Sequence, residues 1–447
     1  MTPTSLAPLP PAVAPLPVPI APQRPVAREP SYRWCFLLGL GGMTFVRLIG
    51  YMAFTEVYFL ITAPWRFGKH LRLITHGVGG TFTVLWIGWV LVAVASDLWN
   101  DVPFELMARG VSRAFFTGLA ILSVFLVCAC SSKRFDYMLL GIPFSMVVSL
   151  FVFRPGQQDV YDWGFEDSLQ FQTSLNYILT AAIIAGTAFL YRSRPWLVMT
   201  AMFTAGPLYI VLGSRATGAI FIAAGLTTLI FRVLGEANRV GNRRVAWWRI
   251  VLLAVCGLGL TIGMALTYDY LAAREMLDEK QVRKYQRESQ AEGGVFFGSR
   301  GIYVLTGLLA WWDRPLLGHG SWPEDKNGYY RRAADMLKVP ASDYRYAPVK
   351  GVAVRNMLPI HSVLVSSLAE HGPLAFLFFI YIAYLNVSAL RIVPSFLPQY
   401  TATFAIFLWM NAWNLVASPQ SHRIPTAMSF GFFLLAHYLR GFAVKRG

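Results

Sequence analysis

Beyond residue 33 the chain alternates between long apolar runs and short polar connections. The runs lie near 34–47, 48–64, 76–96, 112–131, 136–153, 173–191, 196–213, 216–234, 249–268, 361–390, 399–417 and 424–441. A helix rises 1.5 Å per residue, so about 20 apolar residues cross roughly 30 Å of hydrocarbon. Most of the runs meet that length, and the pattern predicts an all-α polytopic membrane protein with about twelve transmembrane helices. The first two runs are short, with Arg47 between them. One long helix would hold that guanidinium at mid-bilayer, which is costly. Two helices meeting in a tight hairpin, with Arg47 at the far surface, avoid that cost.

Two segments depart from the alternation. Residues 1–33 form a Pro/Ala/Val-rich tail, with 10 of the chain's 26 prolines in the first 30 positions. Proline cannot continue a helix, and the tail has no signal-peptide core, so it reads as a disordered cytoplasmic extension. Residues 269–360 form a 92-residue connection between spans nine and ten, holding 14 Lys+Arg and 11 Asp+Glu. A loop of that length without structure would be unusual, and such loops are often functional. Tyr270–Ala291 has helical composition and extends the ninth span outward, and Gly293-Gly294 ends it. Ser299–Trp312 predicts a second helix, apolar, aromatic and short enough to lie in the membrane interface, stopped by Asp313-Arg314-Pro315. Gly318-His319-Gly320 predicts a turn. The chain thus divides into the tail (1–33), spans one to nine (34–268), the outer loop (269–360) and spans ten to twelve (361–447).

Composition supports this division. The 447 residues are 55% hydrophobic and 14% charged, against about 25% charged in soluble domains, which argues against a soluble enzyme or a disordered chain. The formal net charge of +16 would by itself suggest nucleic acid. Sorting the 39 basic residues by connection gives another meaning. Nineteen fall in segments that alternate to one side, while the short connections on the other side hold Arg47, Arg109, Arg113, Arg154, Arg215 and Arg423. By the positive-inside rule this places both termini in the cytoplasm and the long loop on the outer face. Cys35, Cys128, Cys130 and Cys256 all lie in apolar runs, which fits neither a disulfide framework nor metal-ligand spacing.

The candidate chemistry lies on the outer side. Arg215 sits between two spans and Arg300 opens the apolar loop helix, where free N–H groups favour an anion. Arginine's fixed fork suits a phosphate or diphosphate. Arg47 and Arg423 lie in other outer turns. His361 leads from the loop into the tenth span, where a neutral imidazole can accept a hydroxyl proton. Glu370, beside His371, is ionisable at depth, and His319 sits between two glycines. Each has a plainer reading: interfacial arginines also serve headgroups and helix caps, His361 can bond a loop carbonyl, and Glu370 can pair with an arginine. Neither a Walker loop, an H-E-x-x-H helix nor a G-x-S-x-G elbow is present.

Four segments together resemble the O-antigen ligase / O-antigen polymerase family of bacterial glycosyltransferases. They are Ser96-Asp97-Leu98-Trp99-Asn100 at the end of the third span; Gly213-Ser214-Arg215-Ala216; Ser299-Arg300 followed by Asp313-Arg314-Pro315-Leu316-Leu317-Gly318-His319-Gly320-Ser321-Trp322; and His361-Ser362 followed by Glu370 and Gly372. The resemblance covers roughly residues 35–440, and the Pro-rich tail and Pro359-Ile360 before His361 depart from it. It implies a GT-C-like, metal-independent inverting glycosyltransferase of the bacterial inner membrane with a periplasmic active site and no cofactor. The implied donor is an undecaprenyl-diphosphate-linked glycan, and the acceptor a second glycan or lipid A-core, with a chain-length regulator as a further partner. Arg215 and Arg300 would bind the diphosphate, and His361 would act on the acceptor hydroxyl. Arg47, Arg423, Glu370 and His319 would complete the substrate site. The "GHGSW" form leans towards polymerase of O-antigen or exopolysaccharide rather than ligase. A transporter of the same lipid-linked glycans is the alternative; it would need cations along a path through the bilayer.

Overall fold

The computed structural model of the protein describes residues 32–41, 45–48, 50–129, 132–152, 167–211, 214–233, eight positions between 255 and 274, 301–338, 357–417 and 423–444. The Pro-rich tail up to residue 31, most of the ninth run, most of Tyr270–Ala291 and Arg300 lie outside the described residues.

The chain enters through α1 (Tyr32–Leu40) and a β-hairpin of β1 (Phe45–Leu48) and β2 (Gly50–Ala53), followed by α2 (Phe54–Lys69) and α3 (Leu71–Thr75). The expected pair of helices meeting at Arg47 is therefore corrected. Arg47 belongs to a strand and faces Tyr51 in the antiparallel register. The local sequence accounts for the change: Gly41-Gly42 follows α1, Val46 is β-branched, and Gly50 opens the return strand. At nine residues α1 is about 13 Å long, too short to span hydrocarbon. It packs against α6 (Ser132–Val152) at a crossing of two glycines. A Cβ on Gly39 would lie 2.0 Å from the Met138 carbonyl oxygen, and one on Gly141 would lie 2.3 Å from that of Phe36. Small residues at such a crossing let backbones approach closely where lipid gives no hydrophobic drive.

The bundle continues with α4 (Gly77–Trp99), α5 (Phe104–Cys128), α7 (Asp167–Leu190), α8 (Pro195–Val211) and α9 (Arg215–Val233). After the loop helices α10 (Gly301–Asp313) and α11 (Tyr329–Met336) come α12 (Val363–His371), α13 (Pro373–Phe396), α14 (Thr401–Ala417) and α15 (Arg423–Val444). Among the described residues four helices are long and apolar enough to cross a membrane: Gly77–Trp99, Phe104–Cys128, Ala216–Val233 and Pro373–Pro394. The protein is a helical, multi-pass membrane protein.

Two further expectations are corrected. The run 361–390 is not one helix. Gly372 takes φ +76°, a region open to glycine, and Pro373 follows at a position where it starts helices but does not continue them. The nine-residue α12 therefore stops, and α13 starts afresh with 24 residues. In addition, Arg109 and Arg113 lie on α5, which begins at Phe104, not in a connecting loop.

The core sits where α4, α5, α13 and α15 pack together, and α14 packs on α9. Trp89 stacks on Phe378 at 5.0 Å and meets Phe379 edge-on at 4.9 Å. Phe135 stacks on Phe432 at 5.0 Å. Offset and edge-to-face pairs of this kind add to the contact made by area alone.

Candidate functional site

Three sequence segments far apart in the chain lock together at the end of α4. Ser96 and Asp97 stand on the last turn of α4, both fully buried. The Ser96 hydroxyl contacts two carbonyl oxygens, Leu317 at 2.5 Å and Glu370 at 2.9 Å. Asp97 accepts from the Ser321 backbone N–H at 2.5 Å and the Ser321 hydroxyl at 2.9 Å. Asn100 donates to the Gly318 carbonyl at 3.2 Å and accepts from the Arg314 guanidinium. Ser321 also lies 3.1 Å from Nε2 of His371. Backbone bonds complete the seam: the His319 N–H donates to Ala369 O at 2.9 Å, and the Gly320 N–H to Glu370 O at 2.8 Å. Every partner here comes from the S-D-L-W-N stretch, the segment 313–322, or the end of α12.

The loop can lie this close only because of its glycines. Gly318 and Gly320 take φ of +66° and +83°. A Cβ on Gly318 would approach the Ala369 carbonyl oxygen at 2.6 Å. Trp322 is held at φ +59°, uncommon for a large aromatic residue. The Arg113 guanidinium covers its ring, 5.1 Å from the centroid. The same guanidinium pairs with Glu370, whose side chain is almost wholly buried. Sequence reasoning left Glu370 open to pairing with an arginine but did not identify which; 257 positions separate the two, and no local pattern joins them.

A smaller polar group lies on the loop itself. Asp313, the last residue of α10, accepts from the Tyr329 hydroxyl at 2.6 Å and Asn327 at 3.3 Å. The Tyr329 bond, together with Asn327 and the nearby Arg314 charge, holds the Asp313 carboxyl below the usual carboxylate range. Burial, together with the Asp313 charge, pushes the Tyr329 hydroxyl up to about 12. Nε2 of His319 lies 2.8 Å from Ala310 O, so this nitrogen carries the proton in the neutral ring. Burial, chiefly, holds His319 below the ordinary histidine value. Asp325 starts α11 by accepting from the backbone N–H groups of Tyr329 and Tyr330, at 2.6 and 3.0 Å.

His361 is half-buried beside α10, its ring 4.2 Å from that of Tyr303. Tyr303 in turn stacks near Tyr330 at 6.4 Å. Ser362 then caps α12 by accepting from the Val365 N–H at 3.3 Å, and its hydroxyl donates to Leu415 O on α14 at 2.9 Å.

The remaining expected site residues are described by backbone alone or not at all. Arg215 is the first residue of α9 and Arg423 the first of α15; Arg47 is in β1, and Arg300 lies outside the described residues, immediately before α10. Connectivity orders these positions. Thr187, near the end of α7, bonds Thr403, near the start of α14, at 2.8 Å. The start of α14 is therefore level with the α7–α8 turn. From that turn α8 leads away and α9 returns, so Arg215 opens α9 at the opposite end. The last turn of α14 is at that end too, next to Ser362. The locked seam joins them because α13 starts there and runs back to α14. The backbones of Arg215, His361 and Arg423 and the seam thus share one end of the bundle.

Among the described residues no group of three His, Cys, Asp or Glu side chains is placed to hold a metal ion. The chain matches no protein-family model and no curated protein.

Proposed function

We propose that this protein is an inner-membrane glycosyltransferase of the O-antigen ligase/polymerase type, with polymerase favoured. It would act on undecaprenyl-diphosphate-linked glycans at the periplasmic face. The proposal includes ten spans beyond the α1–α2 segment, whose α1 is too short to cross by itself, both termini cytoplasmic, and an outer loop between the ninth and tenth of the twelve apolar runs. One observation carries it. The stretches 96–100, 313–322 and 361–372, which carry the family resemblance, meet at one end of the bundle, the end where Arg215 begins α9.

In this reading Arg215 and Arg300 hold the diphosphate, and His361 orients the acceptor hydroxyl and takes its proton. The acceptor oxygen forms a bond to the anomeric carbon from the face opposite the leaving group. The anomeric C–O bond to phosphate breaks, its electron pair leaves with undecaprenyl diphosphate, and the anomeric centre inverts. Departure of a diphosphate calls for charge neutralisation, which fixed cations supply without reorganising. The general-base contribution is about 10²–10⁴-fold.

The test incubates purified protein with lipid-linked repeat units. A ladder formed without lipopolysaccharide core supports the polymerase reading. Core-dependent transfer without a ladder makes it a ligase. Lipid-linked glycan flux in proteoliposomes with no new glycosidic bond overturns both. Arg215→Ala, Arg300→Ala and His361→Ala each abolish product while the protein still inserts. Arg109→Ala, which removes only the surface pair with Glu105, leaves product formation intact.

A further inference from the structure

The end of the bundle that carries the seam also carries an exposed apolar rim. On α4 the side chains Val84, Ile87, Leu91 and Leu98 recur at intervals of three, four and seven, so they share one helix face. All four are exposed on a helix long enough to cross the bilayer, which makes that face the lipid-facing one. Leu98 and Trp99 end this stripe at 63% and 74% exposure, and Phe104 opens α5 at 82%. Beside them, from the loop, Trp312 is 78% and Leu316 81% exposed. Their depth is fixed by hydrogen bonds. Leu317 O receives the Ser96 hydroxyl, Gly318 O receives Asn100, and Arg314 donates to Asn100. Leu316 and Trp312 are therefore level with the last turn of a membrane-crossing helix.

From this placement we propose that Trp312 and Leu316 insert into the headgroup–acyl boundary of the leaflet at this end, extending the lipid-facing stripe of α4 onto the loop. A group of exposed apolar side chains at one level is uncommon on a water-facing surface, whereas Trp is enriched where one part of a side chain is wet and the rest is in lipid. The loop helix α10 is thereby held on two sides. Gly307 and Ala310 face α12 and the segment before it, and the Trp312 end enters lipid. Tyr303, which touches His361, lies nine residues before Trp312 and hence about 13 Å along the same helix. If the glycosyl-transfer reading holds, the rim brings the bilayer boundary to one end of the helix whose Tyr303 touches His361. The rim itself does not depend on that reading.

The test is site-directed spin labelling in nanodiscs of phosphatidylethanolamine and phosphatidylglycerol. Leu316→Cys and, separately, Trp312→Cys are labelled in a background lacking the four native cysteines. Both positions are surface positions, so the labels leave the packing in place. Val84→Cys is the lipid reference and Lys326→Cys the aqueous reference. Relaxation by oxygen exceeding that by a nickel chelate at 316 and 312, as at 84, is the expected result. Nickel-dominated relaxation like that at 326 overturns the proposal. So does low access to both reagents with short label-to-label distances between molecules, which would mean that a second copy covers the rim. Neither readout involves glycan transfer, so its failure is distinct from failure of the proposed activity.

Discussion

Arg113 shows how one side chain joins two distant segments. Its guanidinium pairs with Glu370 and covers Trp322, so removing it leaves a buried carboxylate without its cation. Breaking a buried pair from one side costs about 3–5 kcal/mol, whereas replacing both members by apolar groups is often near neutral. Arg113→Ala should lower the unfolding temperature in detergent strongly, and Arg113→Met with Glu370→Leu should recover most of the loss. A double mutant as unstable as the single would show that the pair is not the cause. Tyr303 makes a prediction of another kind. Its ring lies against His361, so Tyr303→Ala removes that ring contact while Tyr303→Phe retains it. If His361 acts on the acceptor hydroxyl, Tyr303→Ala lowers the rate of product formation and Tyr303→Phe does not. An unchanged rate in both, with His361→Ala inactive, assigns Tyr303 to packing alone.

At the scale of the element, the segment 313–330 is the piece whose hold on the bundle can be titrated. His319 is held below its ordinary value near 6.5, so the folded form resists the proton that the unfolded form accepts. Its contribution is complete above that value and declines as the pH falls below it. Asp313 is also lowered, and its contribution is present above the ordinary carboxylate value of 3.8 and lost as the pH falls through its folded value. Both act in the same direction, with His319 first. Protection of the amides in 313–330, measured against the intrinsic exchange rate at each pH, should fall between pH 7 and 5, and His319→Gln should flatten that change. Gly372→Ala tests the junction of α12 and α13, where a Cβ would lie 2.1 Å from Leu316 O at a φ of +76°. A destabilisation of about 1–3 kcal/mol or more is expected from the backbone alone, read as a lower melting temperature. These elements also show what the sequence can disclose. The four long apolar helices, the stop of α10 at Asp313 and the turn around His319 follow from composition and local stereochemistry, and the structure bears them out. The β-hairpin at Arg47 was not legible, because four-residue strands carry too short a pattern to be told from helix ends. The break at Gly372-Pro373 was legible, since Glu370-His371-Gly372-Pro373 interrupts the apolar run 361–390. The seam was not legible, because its bonds join positions from 50 to 274 residues apart, beyond any local pattern.

For the molecule as a whole, the sidedness of the bundle is what the functional reading depends on. The alternation of charge along the chain and the contacts between helices bear on it separately. The basic residues Lys69, Arg72, Arg192 and Arg194 flank the start of α4 and the α7–α8 turn. Thr187–Thr403 places that turn at the start of α14, while Ser362–Leu415 places the loop and α12 at its far end. Under the positive-inside rule, which counts short connections, the end with Lys69, Arg72, Arg192 and Arg194 would be the cytoplasmic one. This gives a prediction for the protein in sealed, right-side-out vesicles, with single cysteines in a background lacking the native four. Lys326→Cys on the loop and Glu105→Cys at the start of α5 should react with a membrane-impermeant maleimide added outside. Lys69→Cys and Ser193→Cys should react only after the vesicles are opened. All four positions are exposed, so a failure to react reports sidedness, not burial. If the four positions react alike from outside, the bundle does not have the polarity argued here. If the two pairs react in the reverse order, the polarity holds but the seam, His361 and the start of α9 face the cytoplasm. A glycan carried on the outer leaflet would then be out of reach of all three.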